Sequence, residues 1–147
     1  MAQALQGLSE MNPFLARMGY GPDDRVLILH IDDMGFCHAA NAASLACLTE
    51  GSATCASILV NGPWFQEAVQ MADIVTCATM STDPVIKGAW LQPGQHIDLI
   101  GAYRPDMREA DDAALLRSRV FVDNRHTTIG HIGELKTPIA NGVFGED

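Results

Sequence analysis

The sequence predicts an α/β fold: a mostly parallel sheet of about five strands with helices on both faces, in a single layered domain. Three observations predict it. Short aliphatic runs alternate with segments of helical period, and turns rich in glycine, proline and aspartate separate them. The composition, 48% hydrophobic but only 6% aromatic, suits small side chains packed in layers. At 147 residues the chain is expected to form one domain, 1–147, since a chain of this size buries roughly 68–70% of its unfolded surface.

The elements follow in order. Asn12 can cap, Pro13 fits a first helical position and Gly19 can close a short helix. The run "RVLILHI", Arg25 to Ile31, reads as a buried parallel strand. Ala39 to Glu50 carries a helical period, with Gly51 placed as a left-handed cap. "ATCASILV" is a second strand, "WFQEAVQMA" a second helix and "DIVTCATMS" a third strand. "VIKGAWL" is a short helical turn, "HIDLIGAY" a fourth strand, and Asp106 with Glu109 forms a capping-box pattern opening a helix through Ser118. "RVFVDN" is a fifth strand, and after Asn124 no clear period remains.

Charge narrows the partners. Lys and Arg number 9 against 18 Asp and Glu, a net charge of −9 with no basic run, so no nucleic-acid partner is expected. No window approaches a membrane span and the first twenty residues lack a leader pattern, so no membrane partner and a cytoplasmic location are expected. Cys37, Cys47, Cys55 and Cys77 lack CxxC spacing and are expected to be reduced and mostly buried.

The chemistry concentrates in "LHIDDMGFCH", Leu29 to His38. In a parallel sheet ligands collect at the carboxyl ends of strands, and Asp32 and Asp33 directly follow the first strand. One carboxylate of such a pair can hold a divalent metal while the other accepts a proton from metal-bound water. Acidic residues after a strand equally serve as turn formers or helix caps. His30 reads as a ligand or as a hydrogen-bonded core histidine, and His38 as a ligand or as the start of the helix.

Two resemblances sharpen this. Arg25 to about Val69, with its "DDMG" pair, the asparagine in the following helix and "SILVNGP", resembles the YdjC/ChbG-like carbohydrate deacetylase family. That resemblance implies metal-dependent hydrolysis of N-acetyl sugars, with Asp33 as metal ligand and Asp32 as base. "ADIVTCATMSTDPVIKGAWLQPGQHIDLIGAYRPDMREADDAALLRSRVFVDNR" and "HIGELKTPIANGVF" resemble the ornithine cyclodeaminase/mu-crystallin family. The second resemblance implies the later part of a dinucleotide-binding fold, with Tyr103 standing where the cyclodeaminases carry a catalytic aspartate. The domain would thus join a deacetylase-like segment, 1–71, to a cyclodeaminase-like Rossmann segment, 72–147.

The leading expectation is a metal-dependent hydrolase acting on amide or ester bonds of a small-molecule substrate. Asp32 would be its base, and Asp33, His126 and His131 would hold a divalent metal, zinc by preference. One alternative is a non-catalytic fusion protein, and a second is an NAD(P)-dependent oxidoreductase or cyclodeaminase remnant. A sheet joined from two sources leaves exposed edges, so a homo-oligomer is expected.

Overall fold

The computed structural model describes residues 12–143 and 145. The opening of the chain, read as free of a leader pattern, lies outside the described residues as far as residue 11. Helix α1 (Pro13–Arg17) starts as its residues dictate: Asn12 Oδ1 accepts the Phe14 N–H at 2.9 Å, and Gly19 follows at φ +89°. Strand β1 (His30–Met34) leads into α2 (His38–Thr49), which Cys37 caps and after which Gly51 stands at φ +80°. Strand β2 (Cys55–Ile58), α3 (Phe65–Met71) and β3 (Ile74–Cys77) come next. A 3₁₀ turn (Gly88–Trp90), β4 (His96–Leu99), α4 (Asp112–Leu116), α5 (Arg125–Thr128) and α6 (Gly133–Ala140) complete the order.

Strands pair in parallel, β1 with β2 and β3 with β4, as two separate two-stranded units. The β3–β4 register is regular, from Ile74 opposite His96 to Cys77 opposite Leu99. In β1–β2 His30 lies opposite Cys55 and Ile31 opposite Ala56, then the register shifts before Met34 meets Ile58. Asp33 takes φ +65° within that irregularity, a left-handed conformation that a short polar side chain tolerates. Helix α2 packs on β1, α3 on β2 and on the 3₁₀ turn, and α4 on that same turn. Phe65, Val69, Val75, Cys77, Ile86, Leu91, Ala110 and Ala114 form the buried core, against which Ile58 and Leu99 also pack.

Several expectations need correction. Among the described residues the structure holds two parallel pairs, not a sheet of about five strands. β1 begins at His30, and Val26 to Leu29 are exposed, with Leu27 at 77%. An aliphatic run looks buried only if something covers it, and sequence cannot say what does. "RVFVDN" forms no strand: Phe121 is 79% exposed, and residues 120–123 line a cavity of about 1170 Å³ that β4 also lines. The helix expected from Asp106 starts only at Asp112, capped by Asp111, whose Oδ1 accepts the Ala114 N–H at 3.0 Å. The tail contains α5 and α6: Gly133 and Pro138 inside α6 hide its period, and the four residues of α5 are too few to show one. All four cysteines are free, but only Cys77 is buried; Cys37 is half-buried, and Cys47 and Cys55 are exposed.

Candidate functional site

The carboxyl ends of β3 and β4 are held by one buried side chain. Glu109 is fully buried, and its Oε1 accepts the Thr79 N–H at 2.6 Å and the Thr79 hydroxyl at 2.7 Å. Its Oε2 accepts the Gly101 N–H at 2.7 Å. One carboxylate therefore ties the loop after β3 to the loop after β4 through charge-assisted bonds. Gly101 is required there, because a Cβ would collide with the Thr79 carbonyl oxygen and with Glu109 itself.

A second carboxylate holds the first. Glu134, at the start of α6, accepts the Glu109 N–H at 2.6 Å and the Ala110 N–H at 3.1 Å. Burial pushes its carboxyl above the ordinary carboxylate range, against the stabilising pull of those two N–H donors and of Arg108. The Glu109 carbonyl accepts the N–H groups of Val85 and Ile86 at 2.9 and 2.8 Å, and Ile86 bridges Ala110 in parallel. Burial, followed by the nearby carboxylates of Glu109, Glu134 and Asp98, pushes the Cys77 thiol up to about 12, so Cys77 is an inert packing group.

The two tied loops present Met80 and Tyr103, both exposed, with the Tyr103 hydroxyl 3.7 Å from the Met80 sulfur. An aromatic ring beside a polarizable thioether makes an apolar, flat-faced surface at the strand ends. The capping-box reading of Glu109 and the absence of any reading of Glu134 missed this site. Their partners lie 8, 25 and 30 residues away in sequence, so no local spacing could have signalled it.

A separate cluster shapes the end of β1. Asn41, fully buried in α2, accepts the Gly35 N–H at 2.7 Å, and its amide donates to the Trp64 carbonyl at 3.1 Å and to Glu67 Oε2 at 2.8 Å. The Asn41 hydrogen bond and then the His38 contact, at 2.8 Å, hold the Glu67 carboxyl below its ordinary value. His38 begins α2 and meets the Trp64 ring at a tilt of 46°, with ring centroids 5.4 Å apart.

The four residues expected to form a metal centre are placed as follows. Asp32 is exposed and accepts the Ser57 hydroxyl at 3.1 Å, with His30 Nε2 3.5 Å from the same oxygen. His30 is itself exposed and not a core histidine. Asp33 is exposed at the register shift. His126 lies on α5, its N–H donated to Asn124 Oδ1 at 2.8 Å, and His131 follows α5, its N–H donated to the Thr128 carbonyl at 3.2 Å; both are exposed. Among the described residues no three His, Cys, Asp or Glu side chains gather to hold a metal ion, whereas a catalytic zinc takes about three protein ligands.

The sequence model of the ornithine cyclodeaminase/mu-crystallin family matches residues 40–144. The chain is 64% identical over 77 residues to a Delta(1)-pyrroline-2-carboxylate reductase of Paracoccus denitrificans, covering 52% of this chain and 24% of that protein. It is 36% identical over 107 residues to the ketimine reductase mu-crystallin of Mus musculus, covering 72% of this chain and 32% of that protein. Among solved structures it resembles an archaeal alanine dehydrogenase dimer with bound NAD, at a TM-score of 0.56 and 27% identity over 80% of this chain and 35% of that one. The chain thus spans about a quarter to a third of the length of these relatives.

These findings overturn the leading functional expectation. The relatives are named as reductases, not as metal-dependent hydrolases or deacetylases, and the similar solved structure binds NAD, not zinc. The physical reason is visible in the donor geometry: the acidic pair lies on an exposed strand end and the two histidines contribute no third and fourth donor to a common site. The nicotinamide reading, set out above as the second alternative, is the one the relatives favour. With well over half its length inside the family match, the chain belongs to the ornithine cyclodeaminase/mu-crystallin family.

Proposed function

We propose that this chain supplies the strand-end loops beneath the nicotinamide in an NAD(P)H-dependent reductase of cyclic imino acids, of the Δ1-pyrroline-2-carboxylate class. The observation that carries this is the 64% identity over 77 residues to a reductase of that name. The geometry agrees in chemistry: the loops tied by Glu109 expose Met80 and Tyr103, an apolar platform that suits a flat, weakly polar ring. The bound nicotinamide would supply the hydride. Glu109 keeps both loops at fixed separation, and the exposed Met80 and Tyr103 form the surface on which the ring lies.

The turn after β1 fits a different part of the ligand poorly. A pyrophosphate sits on a helix N-terminus through free N–H groups and small residues, whereas here Asp32 and Asp33 stand at the strand end and Asn41 Oδ1 already accepts the Gly35 N–H. The two carboxylates repel phosphate, so the proposed contact is with the nicotinamide end.

The chain is taken as a single domain, 1–147, in a cytoplasmic protein that self-associates; among its described residues no helix is long and apolar enough to cross a membrane. Residues 40–69, within the stretch read as deacetylase-like, fall inside the ornithine cyclodeaminase/mu-crystallin family match. Asp32, Asp33, His126 and His131 are assigned no part in the reduction.

NADH titration followed by two-dimensional NMR tests the reading. Amide shifts at Ser81, Ala102 and Tyr103 that saturate with NADH are expected. Unchanged amides there at millimolar NADH would overturn it.

A further inference from the structure

The outward face of the β1–β2 pair carries a constellation independent of the strand-end loops. The pairing register sets His30 opposite Cys55, and the two-residue period of a strand brings Asp32 and Ser57 onto the same face. His30 Nδ1 lies 3.1 Å from Cys55 Sγ, and His30 Nε2 lies 3.5 Å from Asp32 Oδ1. Ser57 donates to that same Asp32 oxygen at 3.1 Å, and the Thr54 hydroxyl stands 3.8 Å from the sulfur. Thiol, imidazole and carboxylate are thus in line, the order in which a base activates a nucleophile and a third group orients the base.

We infer that Cys55, His30 and Asp32 form a nucleophilic thiol centre at which small hydroperoxides oxidise Cys55 reversibly. His30 Nδ1 takes the thiol proton, and Asp32 steadies the imidazolium through Nε2. The thiolate sulfur attacks one oxygen of the peroxide; the S–O bond forms and the O–O bond breaks. The departing hydroxide, or the alkoxide of an organic hydroperoxide, takes the proton from the imidazolium and leaves as water or alcohol. Sulfur is oxidised by two electrons to the sulfenic acid and the peroxide is reduced by two. A small thiol of the glutathione class then attacks that sulfur, releases a second water and leaves a mixed disulfide; a second such thiol attacks the outer sulfur, leaves as the small-molecule disulfide and returns the Cys55 thiol.

The other three cysteines lack this arrangement for separate reasons. Cys77 is buried, and the Cys37 sulfur accepts the Ala40 N–H at 3.4 Å as the cap of α2. Cys47 is exposed on α2 and serves as an internal reference for an accessible thiol.

The test treats the full chain at pH 7 with limiting hydrogen peroxide and dimedone, and reads the labelling rate of each cysteine by mass spectrometry. Cys55 is expected to react at least about tenfold faster than Cys47, a modest share of what a positioned base delivers. His30→Gln and Asp32→Asn should each lower the Cys55 rate by about tenfold and leave Cys47 unchanged. Equal rates at Cys55 and Cys47 in the unmodified chain, or an undiminished Cys55 rate in His30→Gln, would overturn the proposal. Should either variant lose its fold by circular dichroism, the Cys55 to Cys47 ratio of the unmodified chain decides alone.

Discussion

At the scale of single residues, Glu109 is the side chain whose loss should cost most. Replacing it with alanine strands the Thr79 and Gly101 N–H groups in the interior, and each unsatisfied buried donor costs about 1–3 kcal/mol. Glu109→Ala is therefore expected to lower the unfolding free energy by about 2–5 kcal/mol in urea denaturation, with Glu109→Gln retaining part of it because an amide oxygen still accepts one donor. Glu134 contributes a pH dependence. Its carboxyl lies above the ordinary value of 4.5 chiefly because of burial, so the folded state binds the proton more tightly than the unfolded state does. That contribution is fully present below the unfolded value and is lost as pH rises through the folded one. The difference in stability between the native chain and Glu134→Gln, measured by urea unfolding at a series of pH values, should accordingly shift against the native chain as pH rises from about 4.5. Neither carboxylate was legible as a site residue: an acid at position 109 looks like a helix cap because its partners arrive from other loops. Asp32 and Asp33 were conspicuous in sequence for the opposite reason, being adjacent and local, yet adjacency alone does not gather ligands.

At the scale of elements, the legible parts were those whose signals are local. Asn12 and Pro13 open α1, Gly51 closes α2, and the parallel β3 and β4 appear within the runs that announced them. The misread parts depend on what lies across the chain. "RVLILHI" and "RVFVDN" have strand composition, but strand identity requires a partner: the Leu29 carbonyl accepts the Thr54 N–H at 2.9 Å just before β1, while residues 26–28 and 120–122 pair with none among the described residues. The junction of β3 and β4 shows how closely the paired elements approach. Gly101 touches the Thr79 backbone directly, so Gly101→Ala must push the two loops apart and break the Glu109 bonds. Overpacking of this kind costs about 1–3 kcal/mol. It should appear as a lowered urea midpoint together with downfield-to-upfield collapse of the Thr79 and Gly101 amide resonances, and unchanged amides in the variant would show that the contact is slack.

At the scale of the whole molecule, large apolar side chains remain on the surface, among them Val26, Leu27, Ile28, Leu29, Phe36 and Phe121. Contiguous exposed apolar surface marks an interface, and Val26, Leu27 and Ile28 beside a strand offer both exposed side chains and backbone groups that no described residue pairs. The net charge of −9 opposes association at long range, but salt screens that repulsion over roughly 8 Å at physiological ionic strength and leaves the hydrophobic term intact. Self-association should therefore strengthen, not weaken, as salt rises. Sedimentation velocity over a concentration series at two salt levels would show this as a growing dimeric fraction. The double substitution Leu27→Lys and Ile28→Glu leaves the net charge unchanged while removing the apolar surface, and it should return the chain to a monomer under both conditions. A monomer in the native chain at every concentration, or a dimer undisturbed by the substitution, would place the contact elsewhere or deny it.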